Sequence, residues 1–528
     1  MFRKFAYGAS LAALAASAPV AAVHAQQTSA ALRGSIVDET GAAVDGATVT
    51  LIHLPTSSVS AANTSAAGSF SVSNLRVGGP YRITVQQAGF EPSVIEDVFL
   101  QPGQQNPLRI TLRPAAQADT IVVRGQRLDS LSLDNGVGSV FSADELASQP
   151  SLNRDFSDVL ARDPLVSSNG NGELNIAGLS SKLNSLTVDG IAVQEEFGIN
   201  SDGIFPSQRP PIDLDAVEAV SVSVADFSVL NSGFQGGLVN VVTKSGTNEF
   251  DGVLGFYQAD DSLVGDSAFG EEVDAGDFSE EELSINVGGP IIEDRLFFFV
   301  SYSDFERESP INFNFRDTDP EIFNIVRGIS QDVYGYDPGD KLGLNAANQT
   351  ERLLTKFDWN INDDHRATFT YLNLEETQIG SFSTFDFPSA ARTEDLETNQ
   401  YSGEVFSDWT ENFSTLVRVG LKETNFGRTP VGEPGGGAQG SSFADIEIRD
   451  ISATDPYFAA NGLDGAALIG SSPISLNLGP SRFDQANAIN DELFTLYAQG
   501  DYVLGDHTIT IGGQWEDYSV ENVFVPGS

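Results

Sequence analysis

The chain has 528 residues, with 28 Lys and Arg against 74 Asp and Glu for a net charge of -46, and it contains no cysteine. That balance excludes nucleic acid as a partner, because neutralising phosphates needs clustered cations, and it disfavours binding through anionic headgroups. The missing cysteines remove thiolate, redox and disulfide chemistry, while 51 Gly, 12 Tyr and 35 Phe favour β structure over helix.

Residues 1–25, MFRKFAYGASLAALAASAPVAAVHA, combine a basic start (Arg3, Lys4), a short apolar stretch and a small-x-small end at Val23, His24 and Ala25. This is the pattern of a secretory signal peptide, and it is too short to cross a bilayer as a helix. No later apolar run approaches the roughly 20 residues that a membrane helix needs. The chain is therefore expected to leave the cytoplasm and, if embedded in a membrane, to be embedded as strands.

Residues 27–113 alternate over short runs bounded by glycine, which predicts one small β-sandwich. Gly34, Val37, Asp38, Gly41, Gly46, Ala47 and Val49, then Gly68, Phe70, Tyr81, Val85, Gly89 and Phe90, resemble the carboxypeptidase-regulatory-like domain. The resemblance implies no peptidase. His53, the only histidine of this segment, has no HxxE or HExxH arrangement around it and is expected on the strand surface.

A linker over 114–128 opens with Pro114 to Ala118 and continues with Asp119, Thr120, Ile121, Val122 and Val123. A short β-branched segment between flexible flanks can add as a strand to a partner's sheet edge, with main-chain hydrogen bonds supplying the affinity. DTIVV resembles the TonB box of TonB-dependent receptors. Residues 129–246 resemble the plug domain of the same family. Ser142 reads as a helix cap with Glu145 at the third position. Asp158-Val159-Leu160 and Asp163-Pro164 are similar to the family's "LL...PG" segment. Leu186 to Ile191, with Val188, Asp189 and Gly190, is similar to its "VLVDG". Gly236, Gly237, Leu238, Val239, Asn240, Val241, Val242, Thr243 and Lys244 are similar to its "GGxINIxTK". Two elements depart from the pattern: Ile176-Ala177-Gly178 lacks the arginine of "IRG", and Val224-Ala225-Asp226 replaces "RGP". Docking of the plug through those two arginines is therefore not expected.

From 247 to 528 the hydrophobicity alternates with period two. In 494–502, Phe494, Leu496, Ala498, Gly500 and Tyr502 share one face, and Thr495, Tyr497, Gln499 and Asp501 share the other. Nine strands are predicted, at 250–258, 283–289, 296–302, 353–361, 367–373, 401–409, 413–421, 494–502 and 507–516. Turns within pairs are very short (PIIED, NDDH, TEN), whereas connections between pairs are long and polar, the longest from about 425 to 492. Outer-membrane barrels sort their connections this way. A soluble sandwich also alternates, but its connections are not divided so strictly by length. Trp359 and Trp409 near the short turns and Trp515 toward a long loop suit the aromatic girdles of a membrane wall. Acidic loop sequence such as 261–282 reads as a solvated, self-repelling surface, with divalent-cation binding as the alternative.

The expected fold is thus mainly β: a sandwich, an α+β plug and an incomplete antiparallel transmembrane barrel. The order of sandwich, box, plug and Lys244-Ser245-Gly246-Thr247-Asn248 at the barrel's start most resembles the Oar-like branch of the TonB-dependent receptors. The resemblance implies a Gram-negative outer-membrane location with the N-terminal domains on the periplasmic side. It also implies a plug filling the lumen, and an extracellular ligand imported with energy relayed by TonB, with ExbB and ExbD. An outer-membrane component of secretion or adhesion with the same plug and barrel is the alternative. Barrels of this class have about 22 strands, so the chain is expected to stop within the barrel. Neither a cofactor, a metal site nor a catalytic residue is expected: the histidines at 24, 53, 365 and 507 are scattered, and paired acids such as Asp363-Asp364 and Glu195-Glu196 read as solvated turns. The expected partners are TonB, outer-membrane lipid and a ligand whose class (siderophore, vitamin, oligosaccharide or peptide) stays open.

Overall fold

The computed structural model describes residues 27–102, 108–115, 121–124, 136–149, 154, 156–168, 174–194, 209–226, 235–265, 267–268, 271–272, 277–311, 313–341, 345–380, 383–430, 444–481, 486–505 and 507–525. The signal-peptide segment, Asp119, Thr120 and the Glu195-Glu196 pair lie outside the described residues.

The first unit is a sandwich of β1 (Ala30–Asp38), β2 (Thr48–His53), β3 (Ser58–Asn63), β4 (Ser69–Leu75), β5 (Gly78–Gln86), β6 (Ser93–Leu100), β7 (Leu108–Leu112) and β8 (Ile121–Arg124). One sheet has the order β4-β1-β7 and the other β3-β2-β5-β6-β8. Strand alternation turns Val49, Leu51, Ile83, Val85, Ile36 and Leu112 into a shared core. His53 follows Val49 and Leu51 at the same parity, so the strand directs it inward; it is 7% exposed rather than on the surface as expected. Its Nδ1 lies 2.7 Å from Thr56 Oγ1 and its ring 4.9 Å from that of Tyr81. Burial, reinforced by the Arg76 and Arg366 guanidinium groups, lowers its pKa to about 3.

The plug follows: β9 (Gly136–Ser142), α1 (Ala143–Ser148), α2 (Phe156–Leu160), β10 (Val166–Ser168), β11 (Leu174–Ile176), β12 (Ser185–Val188), β13 (Ile191–Ala192), β14 (Val217–Asp226) and β15 (Leu238–Thr243). The expected cap of α1 is present, with the Ser142 backbone N–H donating to the Glu145 carboxylate at 2.8 Å. Five strands form a mixed sheet in the order β13-β12-β15-β14-β9. Val159, Leu160, Leu186, Val188, Val239 and Val241 fill its core, which runs on into Phe299, Leu354 and Leu372 of the next unit.

Among the described residues that unit is one antiparallel sheet of nine strands, as the alternation predicted. β16 (Asp251–Asp260) is followed by a small ribbon, β17 (Ser267–Ala268) and β18 (Glu271–Glu272), which stands apart from the wall. The wall continues with β19 (Ser279–Ile292), β20 (Leu296–Pro310), β21 (Asn345–Asn360), β22 (His365–Gly380), β23 (Arg392–Thr410) and β24 (Phe413–Pro430). After an outer ribbon of β25 (Ile446–Ile451) and β26 (Ile474–Leu478), it ends in β27 (Ala486–Leu504) and β28 (His507–Val525). Among the described residues β16 and β28 each pair on one side only. Most wall strands are 14 to 19 residues long, beyond the roughly 9–11 that span hydrocarbon, and the surplus extends toward the long-loop side.

The polarity of the wall is the reverse of a soluble sheet. Leu283, Ile285 and Val287 are 38%, 42% and 43% exposed, whereas Glu282, Ser284 and Asn286 between them are at most 4% exposed. The same inversion holds at Tyr401, Val405, Val417 and Val419 against Ser402, Glu404 and Arg418. Trp359, Trp409 and Trp515 all stand on the outer surface. Among the described residues no helix is long and apolar enough to cross a membrane.

The long connections differ from the solvated loops expected of them. Helix α3 (Glu321–Tyr334), the β25–β26 ribbon and two short helices, α4 (Pro456–Ala460) and α5 (Gly465–Ile469), weld into a cap with its own core. The cause is local amphipathicity inside polar sequence: Ile322, Phe323, Val326 and Ser330 lie on one helical stripe, and the ribbon's ISLNL alternates. Phe323 packs on Phe315 and Phe387 at 5.4 and 5.3 Å. Backbone bonds from Asp319 to Leu468 and from Phe387 to Asn477 join three connections.

Two outcomes follow. Phe323→Ala should destabilise the cap by about 3–5 kcal/mol, read as faster proteolysis within 311–485 while the heat-modifiable wall persists. For His53, the unfolded chain takes up a proton below pH 6.5 and the folded one does not until about 3. Sandwich stability should therefore be full above pH 6.5 and fall by about 1.4 kcal/mol per unit through that window; pH-dependent proteolysis of wild type against His53→Gln checks this.

Candidate functional site

The plug sits in the concave face of the wall, and the wall's inward side chains meet it. Asp189 is the centre of that contact. It occupies the turn between β12 and β13 at φ 44°, is 2% exposed, and accepts from the Thr243 N–H at 3.0 Å and the Thr243 hydroxyl at 2.6 Å. From the wall, the Thr370 hydroxyl of β22 reaches the same carboxylate at 3.1 Å and the Lys356 ammonium of β21 at 3.3 Å. Lys356 also donates to the Thr243 carbonyl at 3.1 Å. A buried carboxylate is tolerable only when paired and hydrogen-bonded in this way.

Three further basic side chains of the wall repeat the theme. Arg352, two inward positions along β21 from Lys356 with Leu354 between them, pairs with Glu282 at 2.7 Å and donates to the Pro210 carbonyl at 3.4 Å. Plug residue Arg209 meets the other oxygen of Glu282 at 3.3 Å. On β24, Arg418 pairs with Glu404 at 2.7 Å and donates to the Gly190 carbonyl at 3.2 Å, and Lys422 donates to the Gln194 carbonyl at 2.9 Å. A side chain at Gly190, whose φ is 76°, would collide with the Arg418 guanidinium at 2.1 Å, so glycine is needed there for both conformation and approach. Gly420 serves close approach alone in the wall, where a Cβ would lie 2.2 Å from the Ile191 side chain.

The residues singled out in sequence thus fall into two groups. Val188 (its carbonyl accepting from Gln400 at 3.1 Å), Asp189, Gly190 and Thr243 touch the wall. Gly236, Gly237, Asn240 and Lys244 build the plug instead: the Gly236 N–H reaches the Leu183 carbonyl at 2.8 Å, the Gly237 N–H reaches Asn184 at 2.7 Å, and the Lys244 N–H reaches the Ala216 carbonyl at 2.9 Å. Asn240 accepts from Thr187 at 3.0 Å and donates to the Gln27 carbonyl at 2.9 Å. Ile121, Val122 and Val123, three of the five residues expected to form the box, lie in β8, parallel to β6 of the sandwich. Arg352, Lys356, Arg418 and Lys422 escaped the sequence reading. Their signal was a pair of cations four residues apart at one inward parity, in RLLTKFD and in TLVRVGLKE, sharing that face with Leu354, Asp358, Leu416 and Gly420.

The sandwich seats on the short-turn rim. Arg76 pairs with buried Asp358 at 2.8 Å and donates to Asn360 at 2.8 Å. Thr28 donates to Glu404 at 2.6 Å and accepts from Arg418 at 3.0 Å, so the start of the described chain lies between plug and wall. Between sandwich and rim a cavity of about 370 Å³ is lined by His53, Arg76, Arg366 and Asp408, among others. Among the described residues no group of three or more acidic or histidine side chains is placed to hold a metal ion.

Comparison with known proteins bears on this arrangement. Three family models match in succession: the carboxypeptidase regulatory-like domain over 31–113, the TonB-dependent receptor plug domain over 132–238 and an outer membrane beta barrel domain over 242–320. The domain set is that of a TonB-dependent receptor. The chain is 24% identical over 334 residues to the TonB-dependent transporter Oar of Myxococcus xanthus, an alignment that covers 60% of this chain and 30% of the relative. It is 27% identical over 223 residues to the probable TonB-dependent siderophore receptor PirA of Acinetobacter baumannii, covering 39% and 27%. The chain thus spans less than a third of the length of these curated relatives. In fold it is similar to the outer membrane transporter YddB of Escherichia coli, with a TM-score of 0.51 at 13% identity over 72% of this chain and 48% of that one. An outer-membrane barrel domain with a plug places the chain in the outer membrane of a Gram-negative bacterium, the plug toward the periplasm.

Asp189→Ala should leave the Lys356 charge buried and unpaired, loosening the plug by about 3–5 kcal/mol, and a second change, Lys356→Met, should restore much of the loss. Amide exchange across Ser185–Val188 in the assembled receptor is the readout.

Proposed function

We propose that the receptor binds an extracellular ligand at its outer face and moves it across the outer membrane, with TonB, and ExbB and ExbD behind it, supplying the energy through residues 119–123. The observation that carries the proposal is the seat of the plug. A folded domain occupies the concave face of a membrane wall, and its contacts at Asp189, Gly190, Pro210 and Gln194 are ion pairs and hydrogen bonds that water can replace as the plug moves. A segment able to join another sheet stands on the rim side, where a periplasmic partner would reach it. The activity is transport rather than catalysis, and it calls for no cofactor or resident metal.

One relative is named a siderophore receptor, so ferric siderophores are the first ligands to test. The cap above the wall, with the acidic connections around it, is the surface that would meet them. Surrounding lipid is the remaining partner, contacting the apolar face of the wall.

The Ile121→Pro variant removes a main-chain donor and disfavours strand addition. It should assemble normally, fractionate with outer membranes and resist carbonate extraction like the wild type, yet lose ligand-dependent growth. Wild-type growth on the ligand would contradict a coupling role for this segment.

A further inference from the structure

The β8 segment is not a free tail. It is the outermost strand of the larger sandwich sheet, parallel to β6 with Ile121 beside Ser93, Val122 beside Val94, Val123 beside Ile95 and Arg124 beside Glu96. β6 is itself anchored on its other side by β5, and its Ile95, Val98 and Leu100 lie in the sandwich core. Among the described residues nothing pairs with the far edge of β8, so it presents a row of backbone donors and acceptors. Ile121, Val122 and Val123 are β-branched, which suits them to hold an extended form.

We infer that the sandwich is the docking platform of the energy-coupling partner: an edge strand of the partner adds to the open side of β8 while β8 stays on β6, extending the five-stranded sheet by one. The inference rests on the reading of residues 119–123 as the coupling segment and deepens it. A disordered segment loses its conformational freedom at the moment of binding, whereas a strand already fixed on a folded edge has lost it beforehand, and pre-ordering of this kind strengthens association. The arrangement also sets the direction of force. A pull on β8 passes through β6 into the sandwich, and the sandwich is tied to the wall by Arg76 on Asp358 and Asn360 and by Asn74 on Asp408. A load carried through the sandwich thus falls on those rim contacts.

The absence of native cysteine allows a direct test. Val94→Cys with Val122→Cys in the intact receptor places two thiols at paired positions of β6 and β8, with Val94 outside the core. A disulfide should form on mild oxidation, and the oxidised receptor should bind the purified periplasmic domain of TonB within about twofold of the reduced one. Failure to cross-link, or a loss of binding of about tenfold or more that reduction reverses, overturns the platform, since the segment would then have to leave β6 to be captured. The Ile121→Pro receptor separates the two levels of the argument. If it binds the TonB domain as wild type does, the coupling segment lies elsewhere and both readings fall. If it does not bind while the locked receptor also fails, the coupling role stands and the platform alone is lost.

Discussion

Everything in this molecule follows from a wall whose apolar side faces out. In hydrocarbon no water is available to satisfy backbone groups, so the strands must pair along their whole length and present Leu, Val, Ile and aromatic side chains to the lipid. The period of two then forces the intervening residues inward, and several of these are charged. Arg352, Lys356, Arg418 and Lys422 cannot remain bare at that depth, and neither can Glu282 or Glu404. Some of that charge is neutralised within the wall, as in the pairs of Arg352 with Glu282 and Arg418 with Glu404. The remaining donors find plug carbonyls and Asp189. The wall and the plug therefore complete each other electrostatically.

This division of labour explains why the plug lacks two arginines that its family pattern would carry and is nonetheless seated. The positive charge comes mainly from the wall, and the plug supplies acceptors. Its turn at Asp189 and Gly190 works because an unusual backbone conformation brings a carboxylate and a carbonyl to the same surface. The sandwich extends the same logic to the rim, where Arg76 from the periplasmic domain supplies the partner for wall residue Asp358. Polar contacts thus join the sandwich to the wall and the wall to the plug, beside the apolar continuation of the plug core into Phe299, Leu354 and Leu372.

Much of this was legible in the sequence because it is periodic or carried by a spaced motif. The nine strands and their outward face could be read from alternation alone, since in a wall one residue's displacement would turn every side chain to the wrong side. The turn at Val188, Asp189 and Gly190 could be read from its motif, though its role as a polar hub could not, because Thr370 and Lys356 come from strands about 180 residues further on. Long-range pairing was hidden for the same reason at Arg352 and Arg418. His53 lies inside rather than on the surface: its parity with Val49 and Leu51 turns it inward, and the lack of a catalytic pattern around it says nothing about burial. The cap was masked by polar composition, its apolar stripe being only a few residues wide. The pairing of β8 with β6 is a parallel contact across a linker, for which a single sequence carries no signal.

The inverted wall is the claim on which the rest stands. Single cysteines placed in turn at 401–405 and 416–419 of the cysteine-free receptor, labelled with a polarity-sensitive probe in lipid vesicles and challenged with a lipid-borne quencher, test it most directly. The account predicts strong quenching at Tyr401, Val405, Val417 and Val419 and protection at Ser402, Glu404 and Arg418. Uniform quenching across both sets, or the opposite alternation, would contradict it.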